Sequence, residues 1–253
     1  MKIEILGAFG GETLNCRMTC LLINDTIALD AGSLTQALSL ERQRRVHSIL
    51  ITHSHVDHTS ALPFFVENTR SKGPESIAIY GSRATLYTLR RDLFNDTSWP
   101  DFGNLPNHLM PSIQFKELQN EVSVTIDDVR FTPFAVNHVV PTCGFLIEHD
   151  KSAILWSSDT GPTVRFWEMA NFTANLKAVF IDTSFDNSLQ DLAEVSLHLT
   201  PSLLHEELEQ LDREVPVFLQ HLKPWCREQI YAEIAALELP DVSFLEQGRV
   251  YEF

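Results

Sequence analysis

The chain has 253 residues, enough for one large α/β domain or two small ones, and its 44% hydrophobic content can fill a sizeable core. Its formal net charge is −15, from 34 acidic and 19 basic residues. This balance disfavours a nucleic-acid partner, because such binders need cations to displace the counterions of phosphates. No apolar stretch approaches the ~20 residues that span a bilayer, so we expect no membrane association.

Four cysteines bear on the cellular compartment, and they are Cys16, Cys20, Cys143 and Cys226. They form no CxxC pair, so reduced thiols are the simplest interpretation. Residues 1–5 alternate like a strand and lack the apolar core of a signal peptide. We therefore expect a cytoplasmic location.

The first part of the chain is predicted to form three strands and then a helical segment. The strands are residues 3–7, which we expect at a sheet edge, 20–23 and 26–30, and the helical segment is 33–45. Asn24 and Asp25 favour a hairpin turn between the second and third strands. Asp30 ends the third strand, where its carboxylate either shapes the turn or orients a nearby histidine.

A cluster of polar residues, Thr52–His58, follows the apolar strand 48–51 directly. It contains three imidazoles and a carboxylate, which are side chains that bind divalent transition metals. A histidine-rich surface turn is the alternative interpretation. The chain has only 10 histidines, and three of them fall within six positions behind a core strand. This concentration favours a metal site.

The middle of the chain predicts a helix from residue 60, a strand at 76–81 and an amphipathic helix at 82–92 with Ser82 as its cap. A loop with aromatic and polar residues follows, and its candidate substrate-binding side chains are Phe94, Asn95, Trp99, Asp101 and Phe102. This composition suits an ordered loop beside a pocket. The alternative is a surface loop whose aromatic side chains only anchor it to the core.

Later strands repeat one pattern, in which an apolar run ends at a histidine or a carboxylate. The residues at these strand ends are His138, Asp159, Asp182 and His221. Taken alone, His138 would be an ordinary partly buried histidine. The helices after Thr200-Pro201 and around Ile230 carry leucine and isoleucine stripes that are typical of scaffold.

The run His53-Ser-His55-Val-Asp57-His58 resembles the HxHxDH signature of the metallo-β-lactamase superfamily. The resemblance implies an α/β fold, a four-layer αββα sandwich of two mixed β-sheets flanked by helices, with residues 1–253 as a single domain. It also implies two divalent metal ions, most simply Zn²⁺, with Mn²⁺ or Fe²⁺ as alternatives. The implied ligands are His53, His55 and His138 for one metal, Asp57, His58 and His221 for the other, and Asp159 between them.

Further segments resemble class II cyclic nucleotide phosphodiesterases of the tRNase Z-like branch. They are Asp182-Thr-Ser-Phe185, His198-Leu-Thr-Pro201, the loop from Phe94 to Phe102, Ser157–Pro162 and Gln220–Pro224. The resemblance implies that His198 donates a proton or clamps phosphate and that Asp182 orients it. His198 could instead be a side chain that shapes the helix entrance. Asp182 stands where glutamate is common in the family.

The resemblance implies hydrolysis of 3′,5′-cyclic nucleotides, cyclic AMP or cyclic GMP, to nucleoside 5′-monophosphates. A hydroxide activated by two metals would attack phosphorus, with Asp57, His198 and Asp182 as catalytic residues and the aromatic loop stacking the base. The alternatives are a tRNase Z-like endoribonuclease, a thioester or lactone hydrolase, and a non-catalytic binding protein. The expected partner is a small cyclic nucleotide, and a homodimer is the assembly to be tested.

Overall fold

The computed structural model describes residues 1–69, 76–107 and 109–253, which form two compact units. The first unit comprises Met1–Gly7, Arg17–Gln119 and Gln247–Glu252, and the second comprises Ala8–Cys16, Asn120–Glu246 and Phe253. Each unit contains one seven-stranded sheet. In the described part of the chain, no helix is long and apolar enough to cross a membrane.

The strands, in chain order, are β1 (Lys2–Gly7), β2 (Cys20–Ile23), β3 (Ile27–Leu29), β4 (Ser48–Leu50), β5 (Ile77–Ser82), β6 (Pro106–Asn107), β7 (Met110–Pro111), β8 (Ile113–Leu118), β9 (Val124–Ile126), β10 (Val129–Ala135), β11 (Cys143–His149), β12 (Ser152–Trp156), β13 (Leu176–Asp182), β14 (Val217–Gln220), β15 (Val242–Phe244) and β16 (Val250–Glu252). The helices are α1 (Leu34–Ala37), α2 (Leu40–Gln43), α3 (Val56–Thr59), α4 (Leu62–Thr69), α5 (Arg83–Thr88), α6 (Val164–Phe172), α7 (Gln190–Ser196), α8 (Pro201–Leu208) and α9 (Arg227–Ala236). A π-helical turn, Leu89–Leu93, extends α5, and a 3-10 turn, Asn187–Leu189, precedes α7.

The sheet of the first unit has the strand order β16-β1-β2-β3-β4-β5-β8. It is antiparallel from β16 to β3 and parallel from β3 to β8. The prediction that residues 3–7 form an edge strand is wrong, because β1 lies between β2 and β16. Its second partner comes from the far end of the sequence, which a local pattern cannot reveal. The hairpin turn is confirmed, since Asn24 and Asp25 have φ of 46° and 65°, as the turns that match strand twist require.

The helices of the first unit partly follow the prediction. Residues 33–45 form two short helices, because Leu38 between them has an extended backbone and Ser39 starts the second by accepting a hydrogen bond from the Arg42 amide. Ser82 caps α5 as predicted, with its hydroxyl accepting from the amide of Thr85. Apolar side chains of α1 and α4 pack with the strands in one core.

The sheet of the second unit has the order β15-β14-β13-β12-β11-β10-β9, antiparallel from β9 to β12 and parallel from β12 to β15. Because β12, β13 and β14 are parallel, their carboxyl ends lie at one edge of the sheet, where ligand sites of parallel sheets occur. The N-terminus of α8 is confirmed: the Thr200 hydroxyl accepts from the Leu203 amide and Pro201 occupies the first turn, an arrangement that contributes about 1 kcal/mol.

Candidate metal centre

In the first unit, the site residues stand directly after the buried strand β4. His53 and His58 are fully buried, and His55 and Asp57 are half-buried. The centroid of the His53 ring lies 4.6 Å from that of His55 and 4.2 Å from that of His58. Ligand nitrogens of His53 and His55 come within 4.8 Å of each other, and a carboxylate oxygen of Asp57 comes within the same distance of a ring nitrogen of His58.

Asp30 supports two of these histidines from behind. Its Oδ2 lies 2.8 Å from Nδ1 of His58. Its carboxylate also accepts from the amide of Thr52 at 2.9 Å and from the Thr52 hydroxyl at 3.0 Å, and that hydroxyl lies 3.0 Å from Nδ1 of His53. Contacts at Nδ1 select Nε2 as the nitrogen that would coordinate a metal. The prediction that Asp30 orients a histidine is therefore confirmed, and the histidine is His58.

The backbone around Asp30 is shaped for this contact. Asp30 has φ of 58°, a left-handed conformation that is uncommon for residues other than glycine and is frequent at functional sites. The amide of Ala31 donates to the carbonyl of His58 at 2.8 Å. A Cβ at Gly32 would lie 2.0 Å from the carbonyl oxygen of Asp57, so no other residue fits there. The turn after β3 and the start of α3 are thus held together.

In the second unit, Asp159 lies beside two of the predicted histidines. Its Oδ2 is 3.2 Å from Nε2 of His221 and 4.0 Å from Nε2 of His138. Nδ1 of His138 lies 3.1 Å from the carbonyl oxygen of Leu197. Burial lowers the pKa of His138 to about 4 and outweighs the attraction of Asp159. His138 is therefore neutral at pH 7, which is the form of histidine that binds a metal.

Asp182 and His198 form a buried pair at the same edge of the sheet, as predicted. Nδ1 of His198 lies 2.6 Å from Oδ2 of Asp182, which also accepts from the amide of Thr160. Burial opposes the charged form of His198, but the attraction of the Asp182 carboxylate and its hydrogen bond outweigh that cost and raise the pKa of His198. Asp182, His198 and His221 also offer ligand atoms within 4.8 Å of one another, although the hydrogen bond already engages the first two.

Ser184 is a residue of this site that the sequence pattern does not single out. Its hydroxyl donates to Oδ1 of Asp182 at 2.7 Å and lies 3.1 Å from Nδ1 of His198 and 3.0 Å from Nδ1 of His221. One hydroxyl thus connects the predicted proton donor to a predicted metal ligand. Ser184 lies in the segment Asp182-Thr-Ser-Phe185, and that position is the sequence feature that could have identified it. A single serine after a strand forms no recognisable pattern with other residues, so it was not a candidate.

The donor set fits a divalent transition metal. The candidate atoms are imidazole nitrogens and carboxylate oxygens, without a thiolate, which suits Zn²⁺ and also Mn²⁺ or Fe²⁺. The carboxylates and histidines are mostly buried, where ionised groups without a counter-charge are costly. His221 has φ of 65°, and a Cβ at Gly10 would lie 2.5 Å from its Cε1, so the backbone around this imidazole is closely fitted.

Phe94 and Phe102, in the loop predicted to bind substrate, do not have the predicted role. Phe94 and Phe102 are 1% exposed and belong to the core of the first unit, so neither ring has a face that could stack on a base. Stacking by these two residues is therefore excluded, and they anchor the loop. Trp99 is partly buried, and its ring contacts that of Phe64.

The polar residues of the loop mainly build the loop itself. Asn95 accepts from the amides of Thr97 and Ser98, and Asp101 accepts from the amide of Gly103. Asn95 and Asp101 also line a cavity of about 460 Å³ beside β8.

Histidines and carboxylates at the strand ends of two mixed sheets with flanking helices define a metal-dependent hydrolase. The β-lactamase superfamily domain matches residues 23–221. The chain therefore belongs to the β-lactamase superfamily and has the metallo-β-lactamase fold, which confirms the α/β fold prediction and the resemblance drawn from the HxHxDH run.

The chain is similar to several proteins of this superfamily. It is 26% identical over 270 residues to a 3′,5′-cyclic-nucleotide phosphodiesterase of Aliivibrio fischeri, an alignment that covers 86% of this chain and 80% of that protein. It is 27% identical over 165 residues to a ribonuclease Z of Metallosphaera sedula, which covers 61% of this chain and 51% of that protein. The crystal structure of unliganded yeast PDE1 superposes with a TM-score of 0.81 at 20% identity, covering 98% of both chains.

Proposed function

We propose that the protein hydrolyses 3′,5′-cyclic nucleotides to nucleoside 5′-monophosphates. The observation that carries this proposal is the buried Asp182–His198 pair, joined at 2.6 Å beside His221. Such a pair suits a reaction with a poor leaving group that needs a proton, as the ribose 3′-oxygen does. The similarity to a relative named 3′,5′-cyclic-nucleotide phosphodiesterase supports the choice of substrate.

The proposed metal ligands keep the assignment that the family signature implies. His53, His55, Asp57 and His58 come from the first unit, and His138, Asp159 and His221 come from the second. When bound, two divalent ions supply a water of lowered pKa and neutralise charge on the phosphoryl oxygens. Asp30 and Ser184 hold imidazoles of this set through Nδ1, which leaves Nε2 as the nitrogen that would bind a metal.

His198 acts on the leaving group in the proposed reaction. Its Nδ1 hydrogen is held by Asp182, so the acidic proton of the imidazolium is on Nε2. When the bond between phosphorus and O3′ breaks, the electron pair stays on O3′ and the Nε2 proton completes the ribose hydroxyl. Asp182 keeps the ring oriented and stabilises its positive charge before the transfer.

An endoribonuclease acting on tRNA is the second candidate, favoured by the similarity to ribonuclease Z. That enzyme must bind a polyanion, and the net charge of −15 opposes this. A thioester or lactone hydrolase is a further alternative, and it would be favoured if replacement of His198 left turnover unchanged.

A substrate screen tests the proposal. Protein purified without chelator should contain about two transition-metal ions per chain, and it should hydrolyse cyclic AMP or cyclic GMP and bis(p-nitrophenyl) phosphate but neither a precursor tRNA nor a lactone. A chelator should abolish the activity, and zinc or manganese should restore it. Site-specific cleavage of the precursor tRNA at physiological salt, without hydrolysis of cyclic nucleotides, would favour the endoribonuclease.

Three further properties are proposed with the activity. Zinc is proposed as the resident metal because of the donor set. A cytoplasmic location is proposed because all four cysteines are buried free thiols. A homodimer is proposed as the assembly, and the mass of the protein in solution tests it.

A further inference from the structure

A cleft of about 380 Å³ lies in the second unit, where residues 8–16 run alongside residues 221–227. Phe9 and Leu222 form a parallel bridge, and the amide of Gly10 donates to the Leu222 carbonyl at 3.1 Å. The ammonium group of Lys223 donates to the carbonyl of Gly10 at 2.9 Å. These bonds fix the two walls of the cleft relative to each other.

Two glycines, Gly10 and Gly11, line the cleft on the side formed by residues 8–16. A Cβ at Gly11 would lie 3.1 Å from Cδ of Pro224 on the opposite wall, and a Cβ at Gly10 would overlap the His221 ring. Gly10, which lines the cleft, therefore packs directly against the ring of a predicted metal ligand. Thr13 and Asn15 contribute polar groups to the same cleft.

Trp225 forms one side of the cleft and is 68% exposed. Its indole contacts the ring of Phe185, with centroids 6.1 Å apart, and Phe185 in turn contacts the His198 ring at 5.6 Å. Phe185 is buried, so its place between the two is fixed. An exposed indole thus lies two ring contacts away from the predicted proton donor.

We propose that Trp225 binds the nucleobase of the substrate by stacking in this cleft. The inference rests on the proposed function, because it assumes a cyclic nucleotide whose phosphate lies near His198. An indole face accepts any base, since every base has a π-face. The amide of Asn15 can pair with polar groups at the edge of the base, as amide side chains do.

This placement differs from the sequence prediction, which put base stacking on the loop from Phe94 to Phe102. The two phenylalanines of that loop have no accessible ring face, whereas Trp225 has one. Trp225 also has a connection to the Asp182–His198 pair within its own unit through Phe185. Trp225 is therefore the aromatic residue that we assign to the base.

Trp225→Ala tests the assignment through both kinetics and binding. We expect a KM for cyclic AMP raised roughly 5- to 150-fold, the usual effect of losing one base–aromatic stack, with kcat nearly unchanged. Affinity for adenosine 5′-monophosphate, measured by calorimetry on the metal-loaded protein, should fall by a similar factor. Affinity for ribose 5-phosphate, which has no base, should stay the same, and Trp225→Phe should restore most of the loss.

Phe172→Ala is the matched control, because Phe172 is an aromatic residue of the same unit that is 86% exposed on α6. It should change neither KM nor affinity. Trp225→Gln provides a second variant without an aromatic ring if Trp225→Ala unfolds, and thermal unfolding of each variant identifies such a case.

The outcomes separate this inference from the proposed function. If the wild type hydrolyses cyclic nucleotides but Trp225→Ala keeps both its KM and its affinity for adenosine 5′-monophosphate, the base site is overturned and the function stands. If the wild type hydrolyses no cyclic nucleotide yet binds the monophosphate in a Trp225-dependent way, the function fails and the base site stands. Equal losses for adenosine 5′-monophosphate and ribose 5-phosphate would also overturn the base site.

Discussion

Each unit of the molecule contains a buried carboxylate that holds a histidine through Nδ1. In the first unit, Asp30 lies 2.8 Å from Nδ1 of His58, and in the second unit, Asp182 lies 2.6 Å from Nδ1 of His198. Both carboxylates are fully buried at or just after the end of a strand. The distances from the carboxylate to Nδ1 are thus nearly the same.

The difference lies in what each histidine is proposed to do. His58 belongs to a contiguous run of candidate ligands, and Asp30 also holds His53 through Thr52. His198 is not among the seven proposed ligands, although it lies beside His221, and it is proposed to give up a proton. On these two proposals, one hydrogen-bond arrangement serves metal binding in the first unit and acid catalysis in the second, and the group that Nε2 contacts decides between them.

The largest effect is expected from His198→Ala, which removes the proposed acid. It should lower kcat for cyclic AMP about 10²–10⁴-fold and leave metal content unchanged, because His198 is not among the proposed ligands. Hydrolysis of bis(p-nitrophenyl) phosphate should fall far less, since its leaving group departs without a proton. Steady-state kinetics on both substrates and elemental analysis measure these effects.

His149→Ala is the matched control for this prediction. His149 lies 2.9 Å from Asp128 in the same unit, a histidine–carboxylate pair on the surface. It should leave both activities intact. Equal losses on the two substrates for His198→Ala would indicate phosphate binding, and no loss would make His198 a residue that only shapes the helix entrance.

The second-largest effects are expected from replacing the two buried carboxylates, Asp30 and Asp182, one at a time. Asp30→Asn should weaken metal binding roughly 10–100-fold, the usual cost of losing a partner of a ligand, because an amide cannot accept from both Thr52 and His58 as the carboxylate does. Asp182→Asn should instead lower kcat about 10²-fold with metal affinity nearly unchanged. Metal affinity is measured by competition with a chelator.

Asp25→Asn serves as the control in the first unit, because Asp25 pairs with Lys2 at a partly exposed position. It should affect neither quantity. If Asp30→Asn and Asp182→Asn both lower metal affinity by the same factor, the two carboxylates have one role and the comparison fails.

The sequence predicted the parts of the molecule that depend on local patterns. The HxHxDH run was visible because its four residues are contiguous, and the run behind it is apolar enough to be a strand. Asp159, Asp182 and His221 were visible because each follows such a strand. Their role as ligands or catalytic groups stays a prediction, whereas the family and the fold are confirmed.

What the sequence did not reveal depends on long-range contacts. The pairing of β1 with β16 joins the two ends of the first unit, so β1 was wrongly placed at an edge. Phe94 and Phe102 were candidates for stacking because composition cannot tell a buried ring from an exposed one. Trp225 was not a candidate because its contact with Phe185, which connects it to His198, spans 40 positions in the sequence.

The smallest effect is expected at Ser184, which connects the Asp182–His198 pair to the proposed ligand His221. Ser184→Ala removes the hydroxyl that donates to Asp182 and lies 3.0 Å from Nδ1 of His221. Losing one such bond between buried groups costs about 1–2 kcal/mol. We therefore expect kcat and metal affinity each to fall by roughly 5- to 30-fold, whereas Asp30→Asn and Asp182→Asn each change mainly one of them.

Thr183→Val provides the control, because the Thr183 hydroxyl donates to the backbone carbonyl of Asp182 rather than to a histidine. Thr183→Val removes a buried hydroxyl next to Ser184 in the sequence. It should lower the stability of the protein but change kcat and metal affinity little. If Ser184→Ala changes kcat alone, the contact with His221 does not support a ligand. In that case Ser184 would support acid catalysis alone, as Asp182 is proposed to do, and would have no part in metal binding.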